Sequence, residues 1–220
     1  MVQESRRTVF TGSALTRLLA RLTGIDVRES RQGTEDRLSQ WLGWADAISL
    51  SAALDGSPAT APSGARAAGG AEDRECIRVR TALVNAIVEG SADTAADFTP
   101  YRRRYLARQQ AMEAGIGPLR GHLRAKLVAR SPAMARLAAV DVVMEQVLDP
   151  HARSLLSTVP VLLEKHFERL RQSGQAGPAP EGAWLDVFRK DIRDVLLAEL
   201  DFRFQPIEGL LEALRTRQPG

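Results

Sequence analysis

The chain is poor in the residues that most often announce a chemistry. Cysteine occurs once in 220 residues, as Cys76, so no intramolecular disulfide forms and a paired-cysteine zinc site is excluded. Histidine occurs as His122, His151 and His166. None stands at Glu-x-x-His or His-x-x-x-His spacing, which leaves a carboxylate-bridged metal site or a zincin helix without support. Gly-x-Gly-x-x-Gly, Walker-type Gly-Lys-Ser/Thr and Gly-x-Ser-x-Gly sequences are all missing, and with them the simplest grounds for nucleotide binding or serine hydrolysis. No cofactor, metal or catalytic set is therefore expected. The longest aliphatic runs, such as Val195 to Ala198, fall far below a membrane span, and MVQESRRTVF has no signal-length apolar run behind its arginines. A cytoplasmic, reducing location is the expectation.

What is present is helical patterning on a chain 44% apolar, enough for one sizeable core or a core with an appendage. Leu15, Leu18, Leu19 and Leu22 repeat at helical spacing behind the N-cap candidates Thr11 and Ser13 and before Gly24. Thr34 can cap a second helix with the stripe Leu38, Trp41, Leu42, Ala45, Ile48 and Ala52, and Trp44 at its flank. The segment DGSPATAPSGARAAGG, residues 55–70, cannot offset its ordering entropy by burial and reads as a flexible linker. Cys76, Val79, Leu83, Val84 and Ile87 then mark one side of a third helix stopping at Gly90, which makes Cys76 a small core residue rather than a nucleophile.

Thr99-Pro100, Ser131-Pro132 and Asp149-Pro150 each set a capping side chain before a proline, a helix-start signal. The first predicts a helix with Tyr101, Tyr105 and Met112 on one side, ending at Gly115-Ile116-Gly117, after which Pro118 opens another with Leu119, Leu123 and Leu127. Between Ser131 and Gln172 two amphipathic helices are expected, divided at Asp149-Pro150. The first carries Ala133, Leu137, Val140, Met144, Val147 and Leu148, the second Leu155, Leu156, Val159, Leu162, Leu163 and Leu170 with a kink at Pro160. This pair is the expected core. Leu185, Phe188, Ile192, Val195, Leu196 and Leu200 define a last long helix, with Pro206 separating a terminal piece. The predicted fold is all-α, a bundle of about seven or eight helices with two flexible linkers. The expected divisions are an N-terminal helical hairpin over 1–54, the linker over 55–70, a central core over 71–172, a loop over 173–181 and a C-terminal helical segment over 182–220.

Charge is unevenly placed. The net charge is only +3, yet Arg102, Arg103, Arg104, Arg108, Arg120, Arg124, Lys126, Arg130 and Arg136 stand against Glu113 alone between Pro100 and Arg136. Such a strip fits an acidic protein surface, an anionic membrane, nucleic acid, or an internal match to carboxylates elsewhere in the fold. Because Tyr101 and Tyr105 fall on the core side, the arginines would meet a partner without stacking rings. Arg102, Arg103, Arg104, Arg108, Arg120, Arg124, Lys126 and Arg130 are the candidate partner-binding residues. Asp141, His166 and Glu199 lie on or beside apolar stripes and are candidate buried polar groups, read as salt-bridged or hydrogen-bonded helix contacts ahead of acid–base catalysis. His151, in the turn after Pro150, reads as a surface contact.

The phrases SALTRLLARLT, RLSQWLGWADAISLSAAL, TPYRRRYLARQQAME and VPVLLEKHFERLR together resemble a proteobacterial family of uncharacterised helical proteins of about this length, covering nearly the whole chain. The resemblance carries over no functional residue. It implies a setting: relatives are encoded beside membrane proteins similar to proton-channel stator subunits and beside peptidoglycan-binding outer-membrane-like proteins. A non-enzymatic cytosolic adaptor, accessory to an envelope complex and peripheral to the inner membrane through a protein partner, is the expected function. Nucleic-acid binding by the basic helices over 100–136 is the alternative, and a homo-oligomer is compatible with either.

Overall fold

The computed structural model describes residues 14–24, 41–55, 69–89, 97–176 and 182–216. Among these the backbone forms α1 (Ala14–Thr23), α2 (Trp44–Asp55), α3 (Gly69–Val88), α4 (Thr99–Arg130), α5 (Pro132–Leu156), α6 (Val159–Ala176) and α7 (Ala183–Arg215), and no strand. The two longest helices, α4 with 32 residues and α7 with 33, are each about 48 Å long. Their apolar stripes bury Tyr101, Tyr105, Met112, Leu119, Leu123 and Leu127 against Phe188, Val195, Leu196, Leu200, Phe204 and Ile207. Contacts advance together along both: Tyr101 lies edge-on to Phe188 with centroids 5.3 Å apart, Tyr105 reaches Glu199, Glu113 meets Arg203 and Arg130 reaches Leu214. The pair therefore runs parallel.

A third helix runs back along that pair. α3 pairs Glu72 with Lys126 of α4, and Asp73 and Arg80 with Arg215 and Glu208 of α7, so it is antiparallel to both. Its predicted stripe is placed accordingly, with Cys76 and Ile87 buried. α6 lies antiparallel on the first half of α7, where Phe167 meets Phe188 and Trp184 edge-on, with centroids 4.9 and 5.1 Å apart. There Gly174 permits close approach, since a Cβ on it would stand 2.5 Å from the Trp184 ring. α1 docks Leu15 and Leu22 into the core beside α6 and α7, α5 packs along α4, and α2 rests on α5.

Several expectations change. The centre is α4 with α7, while α5 is peripheral, with Leu137 exposed. Asp149-Pro150 does not divide a helix, because α5 continues to Leu156 and the break falls at Ser157-Thr158. Pro160 then sits in the first turn of α6, where a proline costs no intrahelical bond, so no kink arises there. Pro118 and Pro206 also lie inside continuous helices. A proline costs a helix interior roughly 3 kcal/mol, less than the burial gained by carrying an apolar stripe unbroken from Met112 to Leu127 or from Leu200 to Leu211. Pro118 and Pro150 turn to solvent.

Caps and ends are adjusted too. Ser131 caps α5 as predicted, accepting from the Met134 amide at 3.3 Å. At α4 the helix begins one residue early, with Phe98 as an N-cap that offers no side-chain bond, next to Asp97. Bonds from the Thr99 hydroxyl, and from the Thr99 and Phe98 amides, hold its carboxyl below the usual carboxylate range. α6 runs to Ala176, into the span expected to be loop. α1 and α2, expected to pair as a hairpin, dock on different helices. The cap candidates Thr11, Ser13 and Thr34, Leu38 of the predicted second stripe, the stop at Gly90 and most of the 55–70 linker lie outside the described residues.

Candidate interaction surface

The basic strip separates into an inward and an outward part. One turn apart on α4, Arg120 and Arg124 face Asp141 and Glu145, one turn apart on α5. Arg120 grips Asp141 through Nε at 2.9 Å and Nη2 at 2.7 Å, and reaches Glu145 at 3.2 Å. Arg124 meets Asp141 at 2.6 Å and Glu145 at 2.7 Å. Two cations and two carboxylates form a closed square, and such bidentate geometry is the strong form of the ion pair. Burial works to raise the Asp141 pKa, but the bonds and charges of both arginines outweigh it and hold the carboxyl below its ordinary value.

Lys126 and Arg130 are also tied to neighbouring helices. Lys126 meets the buried Glu72 at 3.3 Å. Arg130 donates to the carbonyls of Leu214 and, at 2.9 Å, Thr216, satisfying the acceptor-rich end of α7. Arg102 and Arg103 are exposed in the first turn of α4, with Arg104 and Arg108 half-buried beyond them. Cations there oppose the helix dipole by about 0.3–1 kcal/mol each.

The candidate buried polar groups all make side-chain partners. Glu199 is 0% exposed and accepts from the Tyr105 hydroxyl, from Gln109 Nε2 at 3.0 Å and from Arg203 Nε at 2.9 Å. Three partners from two helices bind one carboxylate, a fully satisfied arrangement that locks α4 to α7. His166 Nε2 meets Asp191 at 2.7 Å, while its Nδ1 faces Arg169 at 3.2 Å. Since Arg169 can only donate, Nδ1 accepts and Nε2 carries the proton. Arg169 also donates to the Leu22 carbonyl, tying the end of α1 to α6. No cluster of three or more His, Cys, Asp or Glu side chains with metal-holding geometry occurs among the described residues, and no described helix is long and apolar enough to cross a membrane.

The profile of a family described as "Protein of unknown function (DUF3348)" matches residues 1–216. The chain belongs to this family. No curated protein and no solved structure matches the chain. Membership in DUF3348 thus brings a family boundary, nearly the full chain, and leaves function to the geometry.

That geometry contains one feature outside the predicted site residues. α2 buries none of its residues fully. It turns Leu50 and Ala53 toward α5 and leaves Ala45, Ile48 and Ala52 of the predicted stripe exposed; that stripe assumed one helix through Trp41 and Leu42, and residues 42 and 43 interrupt it. The opposite side presents Trp44 at 85% and Ile48 at 55% exposure, and Leu54, at 57%, lies on the flank between the two sides. Beside it Trp41 stacks on His151, centroids 4.7 Å apart and planes 24° from parallel, and His151 Nδ1 donates to the Val147 carbonyl at 3.0 Å. One turn on from His151, Leu155 of α5 is 65% exposed. The signal available in the sequence was that WADAISLSAALD has apolar residues around the whole helix and no cation. A helix of that kind is normally covered on every side.

Proposed function

We propose that the protein is a non-enzymatic interaction protein, an adaptor that docks on a protein partner through the outer face of α2. The observation that carries this reading is the exposure of Trp44 and Ile48 on one face of a short helix, flanked by the exposed Leu54. Fully burying one such side chain is worth about 1.5–3 kcal/mol, and an exposed aromatic with aliphatic neighbours is the usual make-up of a binding hot spot. The pairing of Arg120, Arg124, Lys126 and Arg130 with groups of the same chain commits half of the candidate basic residues internally and supports the apolar face over the cationic one. A cytoplasmic location, and attachment to a membrane complex through that partner, belong to the same proposal.

The test is a tagged pull-down from the native host with membranes solubilised, run with and without nuclease, comparing the natural chain with Ile48→Asp. Retention of one or two proteins in near-equal amount despite nuclease, and their loss from the variant, is the expected result. Equal retention by both chains refutes the α2 face as the docking site. The nucleic-acid reading rests on exposed Arg102 and Arg103. It requires binding that falls steeply with salt and retained material that disappears with nuclease.

A further inference from the structure

The outer face of α2 is complementary to itself. At 100° per residue, Trp44, Ile48, Ser51 and Asp55 fall along one line of the helix, with Ala47 and Leu54 flanking it on one side and Ala52 on the other. Laying a second α2 antiparallel against this line, about a two-fold axis at the helix midpoint, sets each large residue against a small or acidic one. Ile48 meets Ser51, Leu54 passes over Ala47, and Trp44 meets Asp55 of the other copy. The alternation of large and small across the seam is what interdigitated helix packing requires.

Charge selects the same arrangement. α2 carries Asp46 and Asp55 and no Lys or Arg. Asp46 is committed to its own helix, accepting from the Gly43 amide at 3.0 Å. Asp55, at the opposite end, accepts from Ser51 Oγ at 3.1 Å and meets no basic side chain among the described residues. In an antiparallel pair each Asp55 lies beside the first turn of the other α2, the positive end of that helix's dipole, where a carboxylate is favoured. A parallel pair would set Asp55 against Asp55, Trp44 against Trp44 and like dipole ends together.

We propose that α2 pairs antiparallel with α2 of a second copy of this chain, forming a two-fold homodimer. This rests on the reading of the outer α2 face as an interaction surface and names its occupant. A helix of 12 residues is about 18 Å long, and one face of it covers less than the roughly 800 Å² per partner of a standard interface. The dimer is accordingly a weak, concentration-dependent one with a midpoint in the micromolar range.

The experiment is analytical ultracentrifugation of the full chain across a wide concentration range, beside Ile48→Asp and Ser51→Arg, both on the exposed side. Circular dichroism confirms that at least one variant keeps its helicity. The expected result is a mass rising from monomer to dimer, with the midpoint shifted about tenfold or more in either folded variant. A short thiol crosslinker then joins a mixture of Trp44→Cys and Asp55→Cys chains in preference to either alone. A chain that stays monomeric at all concentrations, a dimer indifferent to both variants, or crosslinks of Trp44→Cys chiefly to itself each overturns the proposal. Monomeric behaviour together with loss of host proteins from Ile48→Asp refutes self-pairing and leaves the adaptor reading standing. Crosslinks from the α2 face into the same chain refute both.

Discussion

Replacing Arg203 by methionine is expected to be among the most damaging single changes in the protein. The substitution keeps most of the aliphatic stem and removes the guanidinium that donates to Glu199 through Nε at 2.9 Å and Nη2 at 2.8 Å. Glu199 has no solvent to turn to. Its carboxylate would retain only Tyr105 and Gln109, two neutral donors facing a full charge. Breaking a buried ion pair by deleting one member costs about 3–5 kcal/mol, a large part of the 5–15 kcal/mol typical of a folded domain. Tyr105→Phe removes one charge-assisted bond and is expected to cost less, about 1.5–3 kcal/mol. The combined variant Tyr105→Phe, Gln109→Leu, Glu199→Leu, Arg203→Met should recover most of the loss, because an apolar filling of similar volume often matches or exceeds a buried ion network. Urea unfolding followed by circular dichroism at neutral pH measures all three, with the denaturant slope checked for constancy. A loss below about 1 kcal/mol for Arg203→Met, or a combined variant no better than the single one, would falsify the account of Glu199 as a charge whose cost is met by its donors.

Other expectations follow from the same geometry. Burial, then the Glu199 charge and hydrogen bond, push the Tyr105 hydroxyl far above the ordinary tyrosine range. The unfolded chain therefore loses this proton first, so its contribution is intact below about pH 10 and declines above it; urea midpoints taken through that window should fall less steeply in Tyr105→Phe. Asp141 has the opposite sign: with its folded pKa depressed, its contribution is present above about pH 4 and lost as pH falls through the folded value. Asp141→Asn should cost about 2 kcal/mol at neutral pH and flatten the acid limb of the stability profile. Gly174→Ala should destabilise despite alanine's helix advantage of about 1 kcal/mol, since its Cβ meets the Trp184 ring. Gly209→Ala, open on all sides, should stabilise by roughly 0.5–1 kcal/mol, and melting temperatures moving the same way in both would contradict this. Burial, then the charges of Asp73 and Glu75, raise the Cys76 thiol, so a thiol reagent should label it slowly until denaturant unfolds the chain.

The all-α class and the apolar faces of α1, α3, α4, α6 and α7 were legible because a 3.6-residue period reports directly on which side of a helix avoids water. Which faces meet was not. Leu137 has the same local pattern as Leu123 and Leu200, yet those two are fully buried at the centre and Leu137 is exposed, a choice made by long-range packing that no window contains. The proline rules failed at Pro118, Pro150 and Pro206 for a related reason: they give a local cost and are silent on the burial that outweighs it. At the candidate site the count of cations between 100 and 136 was visible, but their use was not. Arg120 and Arg124 repeat at four residues, as do Asp141 and Glu145, and that matched spacing was the available hint that the positive strip closes on the next helix. In α2 the apolar residues lie on all sides of a short helix, so no single stripe marks which side is buried.

The parallel alignment of α4 and α7 has a consequence in time. Tyr105 and Glu199 are separated by 94 residues along the chain and Arg130 and Leu214 by 84, so their contacts close long loops, which slows folding relative to bundles made of neighbouring hairpins. α7 follows every other described helix in the sequence, yet α3, α4, α6 and α1 all present faces to it. During synthesis those faces remain uncovered until α7 leaves the ribosome, and a nascent chain stalled before residue 183 exposes Tyr105, Met112, Leu123 and Phe167 to solvent. Such a chain depends on chaperones in a way the finished protein does not.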